Sequence, residues 1–536
     1  MRELKRQLLD FASQSGVGEE AVKGYYKAME LFGADPLQQV DSSLTEYSLD
    51  ESETRGSVLL PMIPGALLDN YRACIVSHAF KSRRYEPIVI HCDGGMYRCL
   101  RRKAEWDSPA ICDLCSVEGA RTIEAFGLDY ESVSPLAPST EVSLETSGDG
   151  SIEYEGVDVG QFALATTRKY LQKYSIDLSS DYEREAYEDF VKNAVILVDV
   201  IKKVIEERDV VATLVMEDHY VHGGVPLAVS EMYDVPGYTI ENGLRDGTVV
   251  FGNNTNRNTF PYYSDEELLK ERVETPLSDD QRRRVDSLVA DRVAGKNAMY
   301  QYSSSSERSV DENGYETVVG MFTNLIWDAS LNVSQVAPYT NVLTWIEETV
   351  DRFVDRSDVR LIVKTHPAEA AHGTEQSVEE YIRTACGSLP RNVEILPSDT
   401  TVDTYELMKD VDAGVVYNTT VGLEMAYHGS PVVVGGDTHY RCLGFTHDPE
   451  TKDEYLSLLG RIGDIEMTPE MQARARRYMY FLLVQKCLDF PFFSASKDAT
   501  RVYPTAVGYE DVCPGNETFD LIVEKMVSGE PIVADP

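Results

Sequence analysis

Short unbroken apolar runs recur along the chain. Each is closed by a polar or glycine-containing turn and followed by a longer stretch with helical spacing. Residues 57–63, 87–91, 211–216 and 237–240 are such runs in the first half. Residues 317–322, 359–364, 414–417 and 432–434 are their counterparts in the second. Runs this short and this uniformly apolar suit strands buried on both faces, as in parallel sheets. Their alternation with helical stretches predicts an α/β protein. At 536 residues the chain exceeds a single core, so two α/β domains with appendages are expected. The predicted divisions are 1–55 (helical extension and acidic linker), 56–302 (first domain), 303–468 (second domain) and 469–536 (terminal helix and tail). Ser303-Ser304-Ser305-Ser306-Glu307-Arg308 reads as the linker between the domains. The helix over 469–488 is expected to cross back onto the first domain.

The best-formed unit lies at residues 413–436. A buried strand ends in Asn418-Thr419-Thr420, a short helix follows, Gly429 stands at its C-cap, and Pro431 precedes the next strand. Free N–H groups and two hydroxyls then face the sheet edge where α/β proteins bind ligands. A helix N-terminus there suits an anion, above all a phosphate. The plainer reading is an ordinary crossover with a Thr cap.

Other strand ends also carry chemistry. Asp69 falls in the first helical turn after the first strand, where it serves as a helix-dipole partner or as a base for an acceptor hydroxyl. Glu217, Asp218 and His219 close the strand at 211–216, either as a general base group or as loop carboxylates capping the next helix. Lys364-Thr365-His366-Pro367-Ala368-Glu369 closes the strand at 359–364, and Pro367 fixes the backbone just after His366. An imidazole there can contact a leaving phosphate or protonate it.

Cys92, Cys99, Cys112 and Cys115 form a C-x6-C-x12-C-x2-C cluster with His91 and Asp93 beside it. Two cysteines separated by two residues make a good metal-ligand pair. The whole spacing is irregular for a zinc ribbon. The group is either a structural zinc or iron–sulfur site or a set of buried reduced thiols.

The formal charge is −40, from 90 acidic and 50 basic residues, and the acid is spread along the whole chain. That pattern suits a surface hydrated in high salt, as in the cytoplasm of a halophilic archaeon. It argues against nucleic acid as a partner, because phosphate backbones need basic patches. The segment Met1–Phe11 lacks the apolar core of a signal peptide, no run of apolar residues is long enough to span a bilayer, and the cysteines do not form a secreted framework. A cytoplasmic protein is expected, at most associated peripherally with the inner face of the membrane.

Three segments carry a family resemblance. They are Lys364-Thr365-His366-Pro367-Ala368-Glu369, Tyr417-Asn418-Thr419-Thr420-Val421-Gly422-Leu423-Glu424-Met425-Ala426, and Gly429-Ser430-Pro431-Val432-Val433-Val434. Together with Met321-Phe322-Thr323-Asn324 and Trp327-Asp328-Ala329-Ser330, the region 317–447 resembles capsule-polysaccharide-biosynthesis glycosyltransferases of the GT-B type. The resemblance implies two facing Rossmann-like domains, with donor in the second and acceptor in the first. It implies that His366 lies at the donor phosphate, that Thr419 and Thr420 bind it, and that Glu424 faces the ribose or sugar. Gly422, Lys364 and Asn324 join the donor set. The family's base has no matching motif here, which leaves Glu217, Asp218 and Asp69 as candidates.

The expected function is transfer of a hexose or related sugar from a nucleotide sugar to a surface glycan or lipid-linked precursor. No Asp-x-Asp pair sits in a suitable strand-end loop, so no catalytic metal or other catalytic cofactor is expected. The rivals are a sugar 2-epimerase or polyol-phosphate transferase of the same fold, and a non-catalytic glycan-assembly protein.

Overall fold

The computed structural model describes the chain apart from residues 1–11, 32–34, 50–52, 64–65, 102–107, 137–144, 147–151, 254–265, 297–313, 329–336, 496–501 and 536. The Pro64-Gly65 turn, the 303–308 linker, Ala329, Ser330 and the N-terminal segment Met1–Phe11 therefore lie outside the described residues. The chain divides into two compact units. Unit 1 comprises Met1–Leu171, Asp177–Pro261 and Lys486–Pro536, and unit 2 comprises Gln172–Ile176 and Tyr262–Gln485. The expected α/β class with two Rossmann-like sheets is what the structure has.

Unit 1 is built on β1 (Ser57–Met62), β2 (Glu86–His91), β3 (Glu131–Ser132), β4 (Val210–Val215), β5 (Gly237–Asn242) and β6 (Thr248–Asn253). A short strand, Leu488–Asp489, pairs antiparallel with β6 at the edge. The order is Leu488–Asp489, β6, β5, β4, β1, β2, β3. β1 pairs in parallel with both β2 and β4, and β4 with β5. Every residue of β1 is buried, as its uninterrupted apolar run requires. The chain passes from β1 outward through β2 to β3, then returns to β4 on the other side. Such a reversal leaves a crevice at the strands' carboxyl ends, because the connections depart in opposite directions.

Five helices of unit 1 matter below: α1 (Gly18–Leu31), α2 (Leu67–Ser82), α3 (Pro109–Ala125), α4 (Val159–Leu171) and α5 (Val221–Met232). α2 is buried on nearly all sides, with Tyr71, Cys74, Ile75, Val76, Ala79 and Phe80 in the core. Besides the strands, that core draws on both ends of the chain. Leu37 and Leu44 join from the N-terminal extension, and Phe490, Phe492, Phe519, Ile522 and Val523 from the tail. Tyr71 donates to the Thr505 carbonyl at 2.7 Å.

Unit 2 carries β7 (Thr317–Phe322), β8 (Val359–Lys364), β9 (Val393–Leu396), β10 (Ala413–Val416) and β11 (Val432–Val434), in the order β9, β8, β7, β10, β11. All its pairings are parallel. The order reverses at β7, so its crevice lies between the ends of β7 and β10. Its helices include α6 (Glu266–Glu274), α7 (Asp279–Val293), α8 (Val342–Val354), α9 (Val421–His428) and α10 (Pro469–Tyr480).

The division differs from the expected boundaries at three places, the first being Gln172–Ile176, which belongs to unit 2. Residues from Tyr262 onward belong to unit 2, because α6 and α7 lie on α10. Arg474 pairs with Glu274 at 2.6 Å, Arg476 with Asp286 at 3.2 Å, and Arg477 donates to the Val273 carbonyl at 2.8 Å. These two charged helices thus lie against an arginine-bearing helix. For the same reason α10 stays with unit 2, and only the chain from Lys486 onward enters unit 1.

Ending the chain at Gln485 removes ten apolar side chains from the unit 1 core, Phe490, Phe492, Phe519, Ile522 and Val523 among them. Burial of each such side chain is worth roughly 1.5–3 kcal/mol, which together rivals the stability of a whole domain. The shortened chain is expected to lose the calorimetric transition of unit 1 and to keep that of unit 2.

Candidate active site

In unit 2 the residues singled out from sequence gather at the carboxyl edge, on either side of the β7 end. His366 follows β8. The Ala368 N–H donates to His366 Nδ1 at 3.1 Å, so the neutral ring carries its proton on Nε2. Burial pushes the imidazole pKa down to about 4, with Asp328 opposing the shift. At neutral pH the ring is therefore an oriented N–H donor rather than an acid, which favours contact with a leaving phosphate over its protonation. Lys364 is buried at the end of β8, its Nζ 3.4 Å from the Thr365 carbonyl, and burial lowers its pKa. Asn324, just past β7, has a buried Oδ1 with no hydrogen-bond partner among the described residues.

β10 ends at Val416, and α9 begins at Val421. Thr419 Oγ1 accepts from the Val421 N–H at 3.4 Å, whereas the Thr420 side chain makes no capping bond. Gly429 holds φ = 96°, the left-handed C-cap read from the sequence. Gly422 has a local reason. A Cβ there would meet Tyr440 Oη at 2.3 Å, and that hydroxyl donates to the Thr419 carbonyl at 2.6 Å. Tyr440 thereby holds the turn from behind. Glu424 is buried and engaged: Arg292 Nε donates to it at 2.8 Å and the Tyr405 hydroxyl at 3.4 Å.

In unit 1 the crevice between β1 and β4 holds a charged network. Lys169 Nζ, from α4, donates to Glu217 Oε1 at 2.8 Å, and His222 Nε2 lies 3.1 Å from Glu217 Oε2. Burial acts to raise the Glu217 pKa, but Lys169 and His222 together hold the carboxylate well below its usual range. A carboxylate held that low is a weak base. Asp69 lies in the first turn of α2, 3.8 Å from the Arg72 guanidinium. Burial raises its pKa and the Glu217 charge adds to this, while Arg72 opposes. Asp69 is thus the stronger base of the pair. Arg72 also donates to Asn242 Oδ1 at the end of β5. Asp218 is buried against His219, 3.4 Å from its Nε2.

Two glycines make this packing possible. A Cβ on Gly223 would lie 1.4 Å from the Glu217 carbonyl oxygen, and one on Gly224 would lie 2.5 Å from that of Asp218. The β4 end therefore sits directly on the first turn of α5, whose Val221 N–H is capped by Thr166 Oγ1 at 2.9 Å.

The structure joins Glu217 and Asp69 in one network and sets Asp218 beside His219. It adds Lys169, Arg72 and His222, which sequence reasoning missed. His222 stands next to the glycine pair, and a buried partner for Glu217 was a reason to look there. Lys169 and Arg72 leave no local signal. Cys92, Cys99, Cys112 and Cys115 line a separate pocket of unit 1. No helix among the described residues is long and apolar enough to cross a membrane.

The family model described as capsule polysaccharide biosynthesis protein matches residues 306–468, the span that contains His366, Thr419 and Thr420. No curated protein matches the chain. Among solved structures, the chain is similar to Thermosulfurimonas dismutans KpsC, beta Kdo 2,7 transferase, at 15% identity and a TM-score of 0.34, covering 60% of this chain and 88% of that one. It is similar to S. aureus MnaA in its UDP co-structure at 13% identity and a TM-score of 0.26, covering 90% and 100%. It is also similar to UDP-GlcNAc 2-epimerase from Neisseria meningitidis bound to UDP-GlcNAc, at 11% identity and a TM-score of 0.26, covering 80% and 96%. Likeness at these identities and scores says nothing about activity.

Glu369, in the same segment as His366, is buried and accepts from the Val378 N–H at 3.3 Å. Burial raises its pKa to about 7. The unfolded chain releases this proton near pH ~4.3. The folded state therefore binds more protons between the two values, and stability falls as pH rises through that interval, then levels. The melting temperature is expected to drop across it by the equivalent of about 1–3 kcal/mol. Glu369→Gln should flatten that slope in a calorimetric pH series.

Proposed function

We propose that the chain is a glycosyltransferase of surface-glycan biosynthesis, moving a hexose or related sugar from a nucleotide sugar to a hydroxyl acceptor. The carrying observation is His366. Its ring is oriented, neutral and protonated on Nε2, at the edge where a helix N-terminus preceded by Thr419 and Thr420 also ends. The family-model match over 306–468 supports the same reading of unit 2.

In this reading unit 2 takes the donor and unit 1 the acceptor. The acceptor oxygen forms the new bond to the anomeric carbon as its proton passes to the Asp69 carboxylate. The bond from the anomeric carbon to the phosphate oxygen breaks, and the nucleotide leaves with the electron pair. His366 Nε2–H and the amides at the start of α9 stabilise the charge that grows on that oxygen. Glu217 stays ionised, and with Lys169 and His222 it orients acceptor hydroxyls rather than taking their protons. Arg72 holds Asp69 in place. Glu424 acts through Arg292 and Tyr405 to shape the wall of the donor site. Lys364 supports the strand end beneath His366.

Thermal shift of the purified chain in high salt against UDP, GDP, CMP and dTDP tests the donor half. One nucleotide is expected to raise the melting temperature, and Thr420→Val is expected to abolish that rise. No shift with any of the four would turn the reading toward a non-catalytic assembly protein.

Asp69→Asn tests the other half once a donor is known. It should keep the nucleotide-induced shift while transfer falls by roughly 10²–10⁴-fold, the usual worth of a general base. Turnover of the donor with no acceptor present would instead identify an epimerase.

A further inference from the structure

Four of the nine cysteines fall within residues 92–115, and all four line one pocket of unit 1. Its interior measures about 20 Å³, room for a single water-sized occupant. The four are free thiols. They lie close enough to interact electrostatically, Cys99 with each of the other three and Cys92 with both Cys112 and Cys115.

Burial raises the Cys92 and Cys99 thiols to about 12, and polar groups facing the sulfurs oppose that rise. The Gly94 N–H bonds to the Cys92 sulfur and the Arg101 N–H to the Cys99 sulfur, each from two residues farther along. Hydrogen bonds of this kind stabilise a thiolate. Cys112 and Cys115 lie three residues apart on α3, so they share a face. Cys112 closes the first turn of the helix, where Ser108 caps the Ala110 N–H at 3.2 Å and the dipole favours an anion. The Arg101 guanidinium bonds to Cys115 and reaches Glu118 at 3.1 Å.

We propose that Cys92, Cys99, Cys112 and Cys115 hold one thiophilic divalent ion of the zinc class, as a structural clip. Four thiolates and no open position are the ligand set of a structural zinc site. The size of the pocket suits one ion rather than an iron–sulfur cluster. Four thiolates around a divalent ion leave a net double negative charge, and Arg101 offsets part of it. As the chain stands, no group of three or more His, Cys, Asp or Glu side chains among the described residues is arranged to hold a metal ion. Binding therefore draws the thiols inward and releases their protons, as metal sites coupled to local folding do. The clip would fasten the segment leaving β2 to α3. α3 in turn packs on α1 through Val22, Tyr26, Ala110 and Val117.

The test is elemental analysis of the full chain, purified under reducing conditions without chelator. One zinc per chain is expected. It should be lost in the Cys112→Ser, Cys115→Ser double variant and kept in Cys386→Ser and Cys442→Ser. Because the double variant can fail to fold, the wild-type chain is also stripped and titrated with Co²⁺. Thiolate-to-cobalt charge transfer should saturate at one equivalent and vanish on adding Zn²⁺. Substoichiometric metal with no cobalt band overturns the proposal. Iron with acid-labile sulfide, or full zinc retention in the double variant, also overturns it.

Discussion

Both sheets depend on one parallel pairing each, that of β1 with β4 and that of β7 with β10. In unit 2 the register runs from Val319 opposite Ala413 to Phe322 opposite Val416. Each pairing joins two strands whose connections leave in opposite directions, so no crossover covers the paired carboxyl ends. The candidate catalytic and donor-site residues stand at or beside those two uncovered ends. Asp69 and Glu217 occupy one, and Asn324, Thr419 and Thr420 the other, with His366 one strand away. A register slip of one residue would turn the strand's side chains to the opposite face and dissolve both arrangements.

Charge is the second constraint. In a chain with a formal net charge of −40, cations are scarce and their placement is informative. Lys169 neutralises Glu217, Arg72 faces Asp69, Arg101 faces the cysteine pocket, and Arg292 is paired with Glu424. The donor site proposed for unit 2 would hold an anion mainly through backbone dipoles and a neutral imidazole. That arrangement suits a protein whose surface is crowded with carboxylates, because dipoles fixed by the fold attract no competing side chain.

Much of the fold was legible because it rests on local pattern. The buried strands appear as apolar runs, and Gly429 announced its C-cap because only a left-handed residue ends the helix there. Thr419 and Thr420 were placed correctly at the end of β10, yet only Thr419 makes the capping bond read for both. Glu424 carries a buried ion pair with Arg292, far away in sequence, that no local pattern encodes. Lys169 and Arg72 were missed for the same reason, since their partners are brought close only by the sheet. The domain boundary was set at the Ser-rich linker, and no local pattern shows that α6 and α7 pack on the arginine-bearing α10. The tail was read as an appendage, although ten of its apolar side chains complete the core of unit 1, whose sheet lies far away in sequence.

That last feature has a consequence for synthesis. Unit 2 ends at Gln485, whereas unit 1 begins near the N-terminus and is completed by residues from Lys486 onward. As the chain leaves the ribosome, its first α/β sheet must wait, with the surface of α2 uncovered, while the second unit emerges and closes. Domains normally fold in the order of their synthesis. Here the order is inverted, and the longest-lived exposed apolar surface on the nascent chain belongs to the half that was made first.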